Sequence, residues 1–162
     1  MIPIDNRVEP VDNVENLRPA HLTALLREAG TLTRGSVTAL TVEPIGTGQM
    51  AEAYRLTLAY SDEAGPSTLI LKCASQNETS RATGAALRAY EIEVRFYQQV
   101  APLLEIEIPR SYGSAISESG DSFALWLHDC SPAVQGDQLV GCDAELARTV
   151  LGQAARYQGA TW

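Results

Sequence analysis

Three stretches of this chain carry residue types that could handle a charged ligand. Gly46, Thr47, Gly48 and Gln49 stand between two strand-like segments, with the two glycines one residue apart. Glycine weakens a hairpin, so a pair at its tip marks backbone that something must approach closely. Lys72 sits in TLILKCA, flanked by Ile70, Leu71, Cys73 and Ala74. An ammonium inside an apolar strand needs either a partner or an outlet to water. Glu93 lies in the helical segment YEIEVRFYQQV. Each has a plain reading: a turn, a solvent-facing edge lysine, and an acid making helical charge pairs with neighbours such as Arg95. Together they also have a chemical one. A glycine loop covers phosphates through its backbone amides, a lysine clamps them, and a carboxylate orients the lysine. Glu91 and Glu93 lie about 200° apart around a helix of 3.6 residues per turn, so both cannot face a sheet. Glu93, between Ile92 and Val94, is the favoured one.

The elements that must hold these residues follow from periodicity. PAHLTALLREA puts Leu22, Leu25, Leu26 and Ala29 on one helical face, with Pro19 in the first turn and Gly30 as the stop. SVTALTVEPI and AEAYRLTLAY alternate as strands on either side of the glycine pair, with Tyr54, Leu56 and Leu58 on one face. SDEAGPS is a turn and STLILKCA a third strand, giving an antiparallel meander. From Glu78 to Leu104 the spacing turns helical, with Leu87, Tyr90, Val94, Tyr97 and Val100 on one face of a single long helix whose start Gly84 weakens. PRSYGSAI and SFALWLHD are two further strands around SESGD, and DAELARTVLGQAARYQ is a closing helix. The sum is an α+β fold: a five-stranded antiparallel sheet with one helix inserted after the third strand. Residues 1–18, polar and acidic with two prolines in the first sixteen, read as a loose leader.

Composition narrows the function classes. A net charge of −8 over 162 residues argues against a nucleic-acid binder, which needs a basic face. A local basic spot for a phosphorylated ligand remains compatible with it. Three cysteines, Cys73, Cys130 and Cys142, form no C-x-x-C pair, which argues against structural zinc and a disulfide framework. The polar N-terminal stretch does not read as a signal peptide, and there is no apolar run of about 18 residues to span a bilayer. The expectation is a cytoplasmic protein without membrane partners.

The G-x-G-x-x-A pattern from Gly46 to Ala51 is followed by a strand, which excludes the dinucleotide-binding context, where a helix must follow. A glycine flap between strands one and two, a lysine in strand three and a glutamate in the next helix match the order found in protein-kinase-like folds. On IGTGQMAEAYRLTLAY, GPSTLILK, YEIEVRFYQQVAP with IPRSYG, and FALWLHDCSPAVQGDQLVG, the chain resembles the N-terminal lobe of the aminoglycoside phosphotransferase and choline-kinase-like small-molecule kinases. It looks closest to their ecdysteroid-kinase-like branch. The final helix resembles the family's next one, although Tyr157 and Gln158 stand where a Leu-His pair is usual.

The resemblance implies a kinase-like nucleotide-binding lobe over 19–128, then a hinge and the first helix of the second lobe over 129–162. It implies ATP with Mg²⁺ as cofactors, phosphoryl transfer to an alcohol group, and Gly46, Thr47, Gly48, Gln49, Lys72 and Glu93 around the phosphates. Leu127 and Asp129 would fall at the hinge, where backbone groups read the adenine edge, next to Trp126 and His128. Asp137 resembles a polar residue just beyond the hinge, and equally a turn or cap acid. The family's catalytic aspartate, asparagine and metal aspartate fall beyond residue 162, so the chain alone is expected to be inactive in transfer. The small-molecule acceptor would be met by that second lobe. A reading of a different class is a non-catalytic interaction module that binds a partner protein, or itself, through an apolar surface around Leu146, Val150, Leu151 and Trp162.

Overall fold

The computed structural model describes residues 8–161 apart from 47, 63, 64, 135 and 138. The described chain is α+β, built on one open antiparallel sheet. In chain order its elements are α1 (Pro19–Glu28), β1 (Val37–Ile45), β2 (Ala51–Tyr60), β3 (Thr68–Ala74), α2 (Glu78–Ala86), α3 (Ala89–Arg95), β4 (Ser111–Ile116), β5 (Phe123–His128) and α4 (Ala144–Thr161). The strand order is β1-β2-β3-β5-β4, so the segment containing α2 and α3 crosses over and the last two strands return as a hairpin.

Period-two alternation decides which side chains meet which layer. On β3, Leu69, Leu71 and Cys73 face one side, where Leu56 and Leu58 of β2 and Trp126 of β5 join them under Leu22, Leu25 and Leu26 of α1. Ile70, Lys72 and Ala74 face the other, where α3 lies with Tyr90 and Val94 buried. The predicted face of Tyr54, Leu56 and Leu58 is the α1 side. Helix α1 starts as its sequence directs. Pro19 occupies the first turn, the His21 ring accepts the Arg18 backbone N–H at 3.2 Å, and Gly30 leaves the helix at φ +65°. The buried Thr23 hydroxyl donates to the Pro19 carbonyl and accepts the Val37 N–H at 2.9 Å, tying β1 to the helix. Gly113 lets α1 press onto β4: a Cβ there would come within 2.8 Å of Leu25 Cδ1.

Two expectations change. The leader is not loose over its described part. Val11 and Leu17 join the α1-side core, and Asn13 caps a short 3₁₀ turn, Val14–Asn16. Asp12 accepts the Ser122 hydroxyl at 2.7 Å and pairs with Arg81 at 3.4 Å. Its polar composition hid two apolar anchors and one well-placed acid. The single helix expected from Glu78 to Leu104 is four pieces. Helix α2 ends at Ala86, Arg88 turns left-handed at φ 54°, and α3 follows. A π-helical turn, Phe96–Val100, and a 3₁₀ turn, Ala101–Leu103, complete the crossover. The break rotates Leu87 out of the predicted face to 61% exposure, while Tyr90 and Val94 stay in it.

Helix α4 stands apart from the sheet. Leu146, Val150 and Leu151 are exposed, as are Val134, Leu139 and Val140 before it; Trp162 lies outside the described residues. Among the described residues, no helix is long and apolar enough to cross a membrane.

Candidate functional site

The hairpin tip between β1 and β2 is shaped by its glycines. Strand pairing reaches Ile45 and Ala53, and Gly46 then adopts φ +74°, a region that L side chains rarely enter. A Cβ on Gly48 would collide with the Ala51 carbonyl, so the loop closes on itself only because that position is bare. Below it is a cleft of about 440 Å³, a size typical of small-molecule sites. Ile45, Gly46, Gly48, Met50, Ala51 and Ala53 line it on the loop side, and Lys72, Ala89, Tyr90 and Glu93 on the other.

Lys72 enters that cleft because it pairs across the ladder with Ala53, whose small side chain leaves room above it. Its ammonium donates to Glu93 Oε1 in a close ion pair. Both side chains keep 31% of their surface, so the pair is partly hydrated and contributes on the order of 1 kcal/mol or less to stability. One bond to Glu93 leaves the ammonium with further donor capacity, since a lysine carries three N–H groups. Glu91 points elsewhere, pairing with Arg88 at 2.8 Å and Arg95 at 2.7 Å along its own helix.

Helix α3 is held against the sheet by Tyr90. Its ring stacks on Phe123, with centroids 4.6 Å apart and planes at 21°, and its hydroxyl donates to the Met50 carbonyl in the glycine loop. Burial pushes the phenol above its ordinary value and outweighs the Ser75 backbone and Arg81, so it stays a donor at neutral pH. Gly84 of α2 is bare for the same reason: a Cβ there would lie 2.5 Å from the Tyr90 hydroxyl oxygen.

The residues expected at the hinge, where backbone groups would meet the ligand, have side chains that belong to the scaffold. Leu127 pairs with Ile70 on the cleft side of the sheet, but its side chain is buried in the core beneath α3 and does not line the cleft. Asp129 is buried and committed to Arg55 of β2, with Nε to Oδ2 at 2.7 Å. It also accepts the Ser131 N–H at 3.0 Å. Burial by itself would raise this carboxyl. Hydrogen bonds from Arg55, Ser131 and Thr68, with the Arg55 charge, outweigh that and hold it below the usual carboxylate range. Trp126 packs on the opposite, α1 side. Gln49 belongs to the glycine loop without lining the cleft; Thr47 lies outside the described residues.

Gly46, Gly48, Lys72 and Glu93 are therefore brought together, while Leu127 and Asp129 are built into the scaffold beyond them. Sequence reasoning passed over Tyr90, Gly84 and Arg55. Tyr90 was visible only as one more apolar position, Gly84 only as a helix weakener, and Arg55 carried no local signal. Among the described residues no group of three His, Cys, Asp or Glu side chains could hold a metal ion. Comparison with protein-family models, curated proteins and solved structures finds no match for this chain.

Proposed function

We propose that this chain is the ATP-binding lobe of a small-molecule kinase, a protein-kinase-like N-terminal lobe followed by its hinge and the first helix of a second lobe. The observation that carries the reading is the Lys72–Glu93 pair set directly beneath a two-glycine hairpin tip on one face of an antiparallel sheet. In this reading the triphosphate lies under the loop. Gly46 and Gly48 permit its close approach, with Thr47 and Gln49 contributing further backbone amides. Lys72 holds the α- and β-phosphates, and Glu93 fixes the ammonium in place. The Leu127–Asp129 backbone reads the adenine edge, and the Arg55–Asp129 pair keeps that segment attached to β2.

The work assigned to these residues is binding and orientation. Transfer to an alcohol also needs a base for the hydroxyl and ligands for Mg²⁺. In this reading those groups, the small-molecule acceptor and the chemical step belong to a second lobe. The reading places the protein in the cytoplasm, and its net charge of −8 argues against nucleic-acid partners.

A Mg·ATP titration followed by thermal unfolding tests this. A ligand that binds only the folded state stabilises it by RT ln(1 + [L]/Kd), about 2.7 kcal/mol at a hundredfold excess over Kd. The wild-type midpoint should rise with nucleotide, and Lys72→Ala should remove the rise. No shift at millimolar ATP rejects the reading.

The exposed apolar residues of α4, with Leu151 at 67%, favour a second reading: a non-catalytic module that binds a partner protein or self-associates through this helix. Light scattering across a concentration series separates them. Concentration-dependent mass that Leu151→Glu abolishes, together with absent nucleotide binding, selects the module.

A further inference from the structure

Three contacts leave one face of α3 within five residues. Tyr90 reaches the glycine loop, Glu93 reaches Lys72, and Val94 enters the core beside Phe123 and Leu125. Residues three and four apart share a helical face, so the three contacts move as one unit. The helix carrying them spans only Ala89–Arg95. A left-handed Arg88 precedes it and a π-helical turn follows, so it is framed by irregular backbone at both ends. Tyr90 is 1% exposed, and its ring end occupies the space left by the missing Gly84 side chain.

We infer that Tyr90 is a positioning residue: its hydroxyl, anchored to the Met50 carbonyl, sets the glycine loop over Lys72 and couples loop and ion pair to the placement of α3. The consequence for ligand affinity rests on the nucleotide reading above; the tether to the loop does not. The hairpin pairs with itself only up to Ile45 and Ala53, and the tip beyond is where the tyrosine takes hold. A loop held at a set height presents its amides to an anion without first losing conformational freedom, the general advantage of preorganisation. Gly84 serves the same device from α2, because any side chain there would displace the hydroxyl that makes the tether.

The test is hydrogen exchange of the ligand-free protein, with tripolyphosphate binding measured beside it by calorimetry. Tyr90→Phe keeps the stacked ring and removes only the donor. Amides across 46–52 should exchange about fivefold faster, as expected when one hydrogen bond stops opposing local opening, while protection of β3 and β5 is retained. Tyr112→Phe is the control, since its hydroxyl meets His128 on the α1 side of the sheet. It should leave the loop unchanged. Gly84→Ala should loosen the loop as Tyr90→Phe does. Tripolyphosphate affinity should fall severalfold in Tyr90→Phe and stay at the wild-type value in Tyr112→Phe. Equal loop exchange in wild type and Tyr90→Phe overturns the inference, as does equal loosening by Tyr112→Phe. If wild type binds neither ATP nor tripolyphosphate but Tyr90→Phe still frees the loop, the tether stands and the nucleotide reading falls.

Discussion

The two faces of one sheet are built by different rules. Under α1, β3 presents Leu69, Leu71 and Cys73, each at most 1% exposed, and even a thiol behaves as a hydrocarbon there. Burial, with a contribution from the Glu52 carboxylate, pushes Cys73 up to about 12, far from a reactive thiolate. Under α3 the same strand presents Ile70, Lys72 and Ala74, and the helix is short, interrupted and flanked by a cleft. A dry face cannot hold an ammonium without a large desolvation cost, whereas a half-wet one can. The dry face therefore supplies stability, which leaves the other face free to carry charge and a cavity.

Substitutions can break that comparison in order of size. Leu71→Ala should cost about 2–5 kcal/mol in denaturant unfolding, because its site on the α1 side is closed on every side. A cost below about 1 kcal/mol would mean that this face is not the tight one. Asp129→Asn should cost about 1–3 kcal/mol by taking the ionic partner from Arg55, less than a fully buried pair because the guanidinium is part-exposed. The sign with pH is definite. Burial raises Asp129, but its hydrogen bonds and Arg55 leave it lower folded than unfolded. Its stabilisation is complete above the unfolded value, about 3.9, and is lost as pH falls through the folded one. Wild type and Asp129→Asn should thus converge in stability in strong acid and separate as pH rises from the folded value towards about 4, with no further separation above it. Persistence of the full difference in strong acid would rule out the charge as its source.

Lys72→Ala should change stability by no more than about 1 kcal/mol while abolishing the nucleotide-induced shift, since the pair is partly hydrated. A loss comparable to that of Leu71→Ala would make the pair structural and the two faces alike. Leu87→Ala should be nearly silent, within about 0.5 kcal/mol, because that side chain faces solvent. A larger cost would restore the continuous helical face that periodicity predicts.

That last case shows where legibility ends. Strands β1, β2 and β3 were readable because period-two alternation is local, and α1 because Pro19 and Gly30 mark its ends. The crossover was misread because spacings of three and four continue across Leu87 and Arg88 although the backbone does not. Nothing local distinguishes a left-handed arginine from a helical one. The meeting of Lys72 and Glu93 was anticipated from their order in the chain. The burial of Asp129 was not, because it depends on Arg55, 74 residues away in sequence.

The sequence by itself determined the five strands, helices α1 and α4, the α1 core stripe and the position of the two-glycine turn. Each of these is set by side-chain period or by backbone freedom at a single residue. Only the tertiary structure decided that Asp12 would anchor the leader, that Gly84 would make room for Tyr90, and that Tyr90 would reach Met50. Those contacts join segments whose residues carry no local preference for one another, and they exist only once the sheet has brought the segments together.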